Sequence, residues 1–254
     1  MENSIKTIRQ SVFLAGIMLM TGLTSIGQTT YDVYLCGDGT ATFTADFGGY
    51  VPKSGDEVYW VKVEGSTTTT LPAIVASGDG NDNFDLTVGS ELTPGEHTYH
   101  VYVVTASPDE CSSDPSDNLS IYKLPETSLT VTAAVAAYCA AASGPDESPT
   151  SSVVTATPST GIESLPAGVS YAYTWSATQN GTTVEELSTI GTDGGATFTL
   201  NTEIAGTYVL SVSAAYTVSS GTIKSGTSDA GCPVTGSDTV TVTEQPTKPT
   251  IDVS

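Results

Sequence analysis

Short runs in which apolar and polar residues alternate recur along most of the chain, separated by stretches rich in Gly, Pro, Asn and Asp. A period of two is typical of a strand with one buried face. Such runs occupy residues 31–35, 41–47, 57–63, 71–76, 84–88, 97–105 and 119–124 in the first half, and 129–137, 153–157, 171–177, 183–187, 196–200, 208–216 and 239–243 in the second. The pattern predicts an all-β chain of short antiparallel strands.

Two Pro-containing breaks divide this pattern. The first, Leu124-Pro125-Glu126, separates two sets of seven predicted strands, and seven is the number in an immunoglobulin-like sandwich. The second break, 244–249, precedes a short β-rich stretch. We therefore predict two tandem immunoglobulin-like antiparallel β-sandwiches at 28–125 and 126–245, with 246–254 as a linker and the start of a further repeat.

The segment 1–27 has the order of features of a signal peptide. A Lys and an Arg give it a positive start, residues 12–20 are mostly apolar, and Ser25 and Gly27 place small residues before a cleavage point. A membrane anchor is the alternative, but a spanning helix needs about 20 mainly apolar residues and the second half of this segment is rich in Thr and Gly. We expect a secreted or cell-surface protein without membrane insertion after cleavage.

The acidity of the chain limits its partners. It has 28 acidic and 7 basic residues, a net charge of −21, and Arg9 as its only arginine. Proteins bind nucleic-acid phosphates through Arg and Lys, so the composition excludes nucleic acid as a partner. The same charge disfavours anionic membranes. We interpret the acidity as that of a soluble, exposed surface in preference to an acidic binding site.

Four cysteines are present: Cys36, Cys111, Cys139 and Cys232. Cysteines in an exported chain form disulfides, and four of them allow three pairings. The same order of landmarks (Cys, Trp, Gly, Tyr, Cys) occurs in each half, which favours one bridge per half, Cys36–Cys111 and Cys139–Cys232. A zinc site is the alternative, but the sequence lacks the Cys-x-x-Cys pair that zinc sites use.

Several landmarks together resemble a known family of repeats. Cys36 begins the stretch Cys-Gly-Asp-Gly-Thr-Ala-Thr-Phe-Thr, Tyr173-Thr-Trp175 is an aromatic-x-Trp strand, residues 205–212 read Ala-Gly-Thr-Tyr-Val-Leu-Ser-Val, and Gly231-Cys232 precedes the last strand. In this order the motifs resemble the immunoglobulin-like and PKD-like repeats of very large bacterial surface proteins, many of them from gliding bacteria that export by the type IX route. The resemblance implies adhesion, spacing or display rather than catalysis. The first half departs from it at Val58, where the second has Tyr173.

Each half contains one tryptophan and one landmark tyrosine: Trp60 and Tyr99 in the first, Trp175 and Tyr208 in the second. In immunoglobulin-like domains a buried Trp packs near the bridge, so we expect these four residues to lie in the cores. A ligand platform is the alternative for either tryptophan.

Catalytic chemistry finds little support. The two histidines, His97 and His100, fall in one predicted strand and three residues apart, so their side chains point to opposite faces and cannot share a metal. The second half has no histidine, which excludes a Ser-His-Asp triad there. An enzyme that uses a carboxylate pair is the third reading, and no spacing singles out such a pair.

One loop has calcium-like spacing. Asp79, Asn81 and Asn83 match positions 1, 3 and 5 of a calcium loop. Phe84 stands where the loop needs glycine, and Ser90 stands where it needs glutamate. A polar hairpin turn is the alternative, and we expect no other cofactor.

Two functions follow from the sequence. The first is a non-catalytic secreted or cell-surface repeat protein, an adhesin or stalk segment. The alternative is an extracellular module that binds a surface glycan or a protein through exposed tyrosines such as Tyr50, Tyr59 or Tyr102.

Overall fold

The computed structural model describes residues 31–78, 80, 82–106, 108, 110–140, 149–226, 230–247 and 250–251. The predicted signal peptide lies outside these residues, as do Asp79 and Asn81 of the calcium-like loop and residues 252–254 of the predicted further repeat. We call residues 31–125 the N-terminal half and residues 126–247 the C-terminal half.

The all-β prediction is confirmed. The strands, in chain order, are β1 (Val33–Leu35), β2 (Ala41–Phe43), β3 (Glu57–Glu64), β4 (Thr67–Thr70), β5 (Ile74–Val75), β6 (Leu86–Val88), β7 (Gly95–Val104), β8 (Leu119–Lys123), β9 (Ser128–Ala133), β10 (Ala137–Cys139), β11 (Ser152–Ser159), β12 (Val169–Gln179), β13 (Thr182–Thr183), β14 (Gly191–Asp193), β15 (Thr197–Leu200), β16 (Gly206–Val218), β17 (Thr222–Lys224) and β18 (Val234–Thr243). Among the described residues, one 3-10 turn, Leu187–Thr189, lies between β13 and β14.

The C-terminal half has the strand order of an immunoglobulin-like sandwich. One sheet runs β14-β15-β11-β9 and the other β10-β18-β16-β12-β13. These orders correspond to D-E-B-A and A′-G-F-C-C′ in the lettering of that fold. All pairings are antiparallel except that of β10 with β18, which is parallel.

The N-terminal half repeats the larger of these sheets. Its order β1-β8-β7-β3-β4 is again A′-G-F-C-C′, and β5 also pairs with β3. The opposing sheet is reduced to β2 and β6, the B and E strands. The larger sheets of the two halves therefore share one topology. The start of β7 and the end of β16, both F strands, lie where the halves meet.

Each half buries its own core, and the two cores share no residue. Along β16 the residues Tyr208, Leu210, Val212 and Ala214 are buried and alternate with half-buried ones, the period expected of a strand with one face in the core. The four landmark aromatics, Trp60, Tyr99, Trp175 and Tyr208, are all buried.

The two tryptophans are held in the same way. The indole Nε1 of Trp60 donates a 2.8 Å hydrogen bond to the carbonyl of Phe84, and that of Trp175 donates a 2.7 Å bond to the carbonyl of Gly195. Each indole packs near a phenylalanine, at ring-centroid distances of 6.1 Å for Phe43 and 5.8 Å for Phe198. Because each buried N–H has its acceptor, burial of these large rings is not offset by an unpaired donor.

Several strand boundaries differ from the predicted ones. The run predicted at 71–76 forms only the two-residue strand β5, the strand β4 lies before it outside every predicted run, and the run at 129–137 breaks into β9 and β10. Neither β14 nor β17 was predicted, because each is only three residues long and too short to show a period. Such strands form because a neighbouring edge offers unpaired backbone groups, which sequence alone does not reveal.

Buried tyrosines make the fold sensitive to alkali. Burial raises the pKa of Tyr99 to about 12 and that of Tyr138 to about 12, one in each half. Below pH 10 both phenols are neutral in the folded and unfolded chain. Between pH 10 and about 12 the unfolded chain releases protons that the folded chain keeps, so we expect the free energy of unfolding to fall with rising pH in this interval. Urea unfolding across this interval measures it.

The variant Tyr99→Phe is the matched control, because the Tyr99 hydroxyl has no hydrogen-bond partner in the described part of the chain. We expect a smaller loss of stability over the same pH interval in this variant. A wild-type stability that is constant or rising above pH 10 would contradict the prediction.

Candidate functional site

The cysteine pairing predicted from the repeat order is wrong. Cys36 is bonded to Cys232, with their Cα atoms 6.1 Å apart, and Cys111 and Cys139 are free. The bridge therefore joins the two halves instead of stapling each one.

The length of the F strand explains the error in the N-terminal half. Cys36 follows Leu35, which lies beside Lys123, and Lys123 lies beside Gly95 at the start of β7. Cys111 exchanges hydrogen bonds with Thr105, just past the end of β7. The ten residues of β7 span about 30 Å, whereas a disulfide needs Cα atoms within about 7 Å.

The same geometry separates the second predicted pair. Cys139 lies at the Gly206 end of β16. Its neighbour Tyr138 pairs with Val242 of β18, and Val242 pairs in turn with Gly206. Cys232 lies at the other end, next to Gly231, whose carbonyl accepts from the amide of Tyr216. The two ends of one half are thus too far apart for a disulfide. Cys36 lies at the end of the N-terminal half where β7 begins, and Cys232 lies at the end of the C-terminal half where β16 ends. Cys36 meets Cys232 because these two ends come together.

A strand pairing accompanies the bridge. β17, from the segment between the F and G strands of the C-terminal half, adds in parallel to the outer edge of β1. The amide of Cys36 donates to the carbonyl of Lys224 at 3.0 Å, and the amide of Thr222 donates to the carbonyl of Asp32 at 2.9 Å. Gly221 precedes this strand at φ +81°, and a Cβ there would lie 2.2 Å from the carbonyl oxygen of Tyr31. Only glycine fits this close approach without strain.

A third apolar cluster fills the space around the bridge, and we call it the joint core. Its buried members are Tyr31, Tyr34, Cys36, Leu124, Tyr216 and Ile223, and they come from both halves. The ring of Tyr31 packs edge-on against Tyr34 at 5.7 Å and lies 5.2 Å from Tyr122. Each fully buried apolar side chain contributes about 1.5–3 kcal/mol, so the joint core stabilises contact between the halves independently of the disulfide.

Hydrogen bonds tie the linker 124–127 to the joint core. The hydroxyl of Tyr216 donates to the carbonyl of Pro125 at 2.9 Å and accepts from the hydroxyl of Thr127 at 2.7 Å. Thr127 also lies 3.0 Å from the hydroxyl of Tyr171, whose ring stacks on Tyr216 at 4.9 Å. Burial raises the pKa of Tyr216 well above its ordinary value. The network fixes the linker against β16 and leaves it little freedom to bend.

A buried lysine lies beside the joint core. Lys123 donates a 2.6 Å hydrogen bond from Nζ to the carbonyl of Gly37, the residue after Cys36. Burial lowers the pKa of Lys123, and the charges of Asp38, Glu91 and Glu126 oppose that shift. In so acidic a chain this cation offsets the local negative charge at the end of β8.

A separate cluster of tyrosines occupies the N-terminal half. Tyr59 and Tyr102 lie opposite each other on β3 and β7, with stacked rings 5.2 Å apart. Both are half-buried, and the hydroxyl of Tyr59 donates to Glu57. These two tyrosines lie on the face of the sheet that does not contribute Trp60 and Tyr99 to the core.

Tyr102 also lines a pocket of about 370 Å³ together with Tyr50, Phe47, Asp46 and Asp114. This volume is within the range of small-ligand sites. Apolar rings beside carboxylates give the pocket both a stacking surface and hydrogen-bond acceptors.

The position of Tyr50 in this pocket is fixed by Asp56. The hydroxyl of Tyr50 donates to Asp56, which also accepts from the amides of Lys53 and Ala106. These donors, the Tyr50 hydroxyl first, lower the pKa of Asp56. The sequence singled out Tyr50, Tyr59 and Tyr102 separately, and the structure brings them into one region.

The histidines lie on opposite faces of β7, as predicted. His97 is buried and its Nε2 lies 2.7 Å from the carbonyl of Thr93, whereas His100 is half-buried and its Nδ1 lies 3.3 Å from Oδ1 of Asn118. No group of three His, Cys, Asp or Glu side chains able to hold a metal occurs within the described ranges.

The calcium-like loop is described only in part. Asp79 and Asn81 lie outside the described residues, and Oδ1 of Asn83 accepts from the amide of Asp85 at 2.9 Å. The carboxylate of Asp82 accepts from the amides of Ser77 and Gly78. These bonds are typical of an Asx-stabilised turn, and calcium binding stays a prediction.

Sequence reasoning missed the joint residues Tyr31, Tyr34, Tyr216 and Ile223. One signal was present: residues 34–36 read Tyr-Leu-Cys, and a run that is apolar on both faces predicts a strand buried on both sides. Leu35 faces the N-terminal core, and Tyr34 and Cys36 face the joint core.

The chain matches no model of a known protein family and no curated protein. It is similar in structure to the crystal structure of chicken CNTN1 FN1–FN3 domains, with 12% identity, a TM-score of 0.31, and coverage of 82% of this chain and 65% of that one. It is also similar to the N-terminal four Ig domains of Dscam1 isoform 4.44, with 11% identity, a TM-score of 0.28, and coverage of 85% and 44%. The chain thus spans less than two thirds of either. No helix among the described residues is long and apolar enough to cross a membrane.

Removal of the Tyr216 hydroxyl tests the network at the linker. In Tyr216→Phe the buried carbonyl of Pro125 and the hydroxyl of Thr127 lose a partner, so we expect a loss of about 1–3 kcal/mol in the free energy of unfolding, measured in urea.

The matched control is Tyr173→Phe, on β12, because the Tyr173 hydroxyl makes no hydrogen bond in the described part of the chain. We expect a change within about 0.5 kcal/mol for it. Equal effects in the two variants would mean that the network at the linker contributes no stability.

Proposed function

We propose that this chain is a non-catalytic segment of a secreted or cell-surface protein, a stalk or adhesin segment whose two sandwiches, 28–125 and 126–245, are held in a fixed relation. The observation that carries the proposal is the joint: one disulfide, one strand pairing and one apolar cluster connect the halves. Domains joined by a linker alone move relative to each other by default. A protein that displays or spaces a binding surface needs the opposite property.

The bridge also supports the proposed location. Disulfides persist in oxidising compartments and are rare in the cytosol, and the segment 1–27 is predicted to direct export. Cys36 and Cys232 are separated by 196 residues, so closing this loop restricts the unfolded chain by about 5 kcal/mol in the entropy model, at the upper end of measured values. The resemblance to repeats of large bacterial surface proteins is consistent with this role.

Solution scattering tests the fixed relation between the halves. We expect the wild-type chain to show one compact distribution of interatomic distances. A variant with Cys36→Ser, Cys232→Ser and Gly221→Ala loses the bridge and the close approach of β17 to β1. We expect it to give a larger radius of gyration and a broader distribution, measured by small-angle X-ray scattering.

The control is Gly181→Ala, which has a similar positive φ of +84° in the turn between β12 and β13 but no atom within 4 Å of the added Cβ. We expect its scattering to equal that of the wild type. If the triple variant also scatters like the wild type, the bridge and the β17 pairing are not what fixes the halves, and a broad distribution in the wild type itself would contradict the stalk proposal.

A second function, binding of a glycan or protein, is favoured by the tyrosine pocket. Tyr50 and Tyr102 line one cavity, and Tyr59 stacks on Tyr102. Sugars present C–H faces that pack on aromatic rings and hydroxyls that bind carboxylates such as Asp46 and Asp114. The third reading, an enzyme that uses acidic residues, has no comparable observation in its favour.

Screening on a glycan array, followed by calorimetry, tests this second function. We expect Tyr102→Ala to weaken binding about tenfold or more, because a central aromatic contact is worth about 2 kcal/mol. Tyr173→Ala, a half-buried tyrosine of the other half, serves as the control and should bind normally. Unchanged binding by Tyr102→Ala, or no glycan ligand on the array, would contradict the glycan proposal.

A further inference from the structure

The two free cysteines occupy the same positions in the fold as the two bonded ones. Leu35 lies beside Lys123 on the G strand β8, and the next residue is Cys36. Tyr138 lies beside Val242 on the G strand β18, and the next residue is Cys139. Leu35 and Tyr138 both belong to the core of their own half. Because side chains alternate along a strand, Cys36 and Cys139 both face away from that core. Each lies at the end of its half where the F strand begins.

Cys111 and Cys232 are related in the same way. Each lies in the segment between the F and G strands, at the end of the F strand. In the joint, the A′ cysteine of the N-terminal half is bonded to the F–G cysteine of the following half. This leaves the F–G cysteine of the N-terminal half and the A′ cysteine of the C-terminal half unused.

The strand beside Cys139 has a free edge. In the N-terminal half β1 lies between β8 and β17. Its counterpart β10 pairs with β18 and ends its sheet, with no strand on the outer side among the described residues. An exposed edge of this kind is a template for pairing with another chain. Cys139 is half-buried there, and its sulfur accepts a 3.5 Å hydrogen bond from the hydroxyl of Thr243.

Cys111 is exposed on the opposite end of the molecule. The backbone amide of Cys111 donates to Oγ1 of Thr105, and its carbonyl accepts from the amide of Thr105. These bonds hold the segment on the end of β7 while the thiol stays open to solvent.

We infer that a second copy of this chain docks at the edge of β10, and that Cys139 of one copy forms a disulfide with Cys111 of the next. The contact joins the same two cysteine positions as the joint, A′ and F–G, although the described residues between β7 and β8 contain no strand that corresponds to β17. The two surfaces differ, which makes the contact heterologous, and a heterologous contact that does not close into a ring propagates. The chain would therefore form covalent head-to-tail arrays.

The chemistry needs a thiol oxidant, and a small-molecule disulfide such as oxidised glutathione is sufficient. The Cys139 thiolate attacks this disulfide, forms a mixed disulfide and releases one small thiolate. The Cys111 thiolate of the second copy then attacks the Cys139 sulfur and releases the other. Both protein thiols give up their protons, and the small disulfide takes up the electrons as it is reduced to two thiols.

The net charge of the chain makes formation of this bridge depend on ionic strength. Each copy carries a net charge of −21, so two copies repel each other, and salt screens such repulsion between exposed charges. We therefore expect the bridge to form faster as ionic strength rises.

The test uses the full chain, purified after export without reductant and incubated with oxidised glutathione. We expect a ladder of oligomers on a non-reducing gel that collapses to monomer on reduction. Mass spectrometry of unreduced peptides should identify the Cys139–Cys111 linkage. The ladder depends on Cys111 and Cys139, whereas the scattering experiment depends on Cys36, Cys232 and Gly221, so the two experiments fail independently.

Two single variants make the test specific. Cys111→Ser and Cys139→Ser each remove one half of the contact, and we expect each alone to stay monomeric. A mixture of the two should give one dimer and no larger species, because it contains one free Cys139 and one free Cys111. Circular dichroism checks that both variants remain folded.

Several results would overturn the inference. These are a wild-type chain that stays monomeric, dimers joined through two Cys111 or two Cys139 residues, a bridge between Cys111 and Cys139 of the same copy, or a mixture of variants that forms no dimer.

Discussion

The arrangement of this protein depends on the meeting of two strand edges, β17 of the C-terminal half against β1 of the N-terminal half. The parallel pairing satisfies backbone groups that would otherwise be exposed at an edge of the sheet. It places Cys232 next to Cys36 and brings Ile223 into the joint core. The disulfide therefore forms at a contact that the backbones already make. Without this contact, the sandwiches would be connected only through the linker 124–127 and the remaining side chains of the joint core.

The joint combines interactions of different kinds, and this combination gives it rigidity. The apolar cluster is non-directional and would allow the halves to slide over each other. The strand pairing and the Tyr216 hydroxyl are directional and fix the angle between them. The disulfide is covalent and prevents separation. A stalk or a display module benefits from all of these, because each removes a different motion.

The same repeat also explains why the two ends of the molecule are chemically unequal. The joint uses the A′ cysteine of the N-terminal half and the F–G cysteine of the C-terminal half. The Cys139 edge and the Cys111 segment are not used in it, and both retain a thiol. Acidity limits uncontrolled association, since chains of net charge −21 repel one another. The tyrosine region around Tyr102 lies on the N-terminal half, and Cys111 also lines its pocket.

The sequence alone determined the fold class and much of the core. A period of two at residues such as Tyr208, Leu210 and Val212 depends only on the alternation of side chains along a strand, so it is readable without a partner. The landmark aromatics are buried for the same reason. The partner of each cysteine was not readable, because the order of residues along the chain does not give the distance across a strand about 30 Å long. Only the tertiary structure decided that Cys36 meets Cys232, since three residues, Thr222–Lys224, form a strand only where the edge of β1 is present.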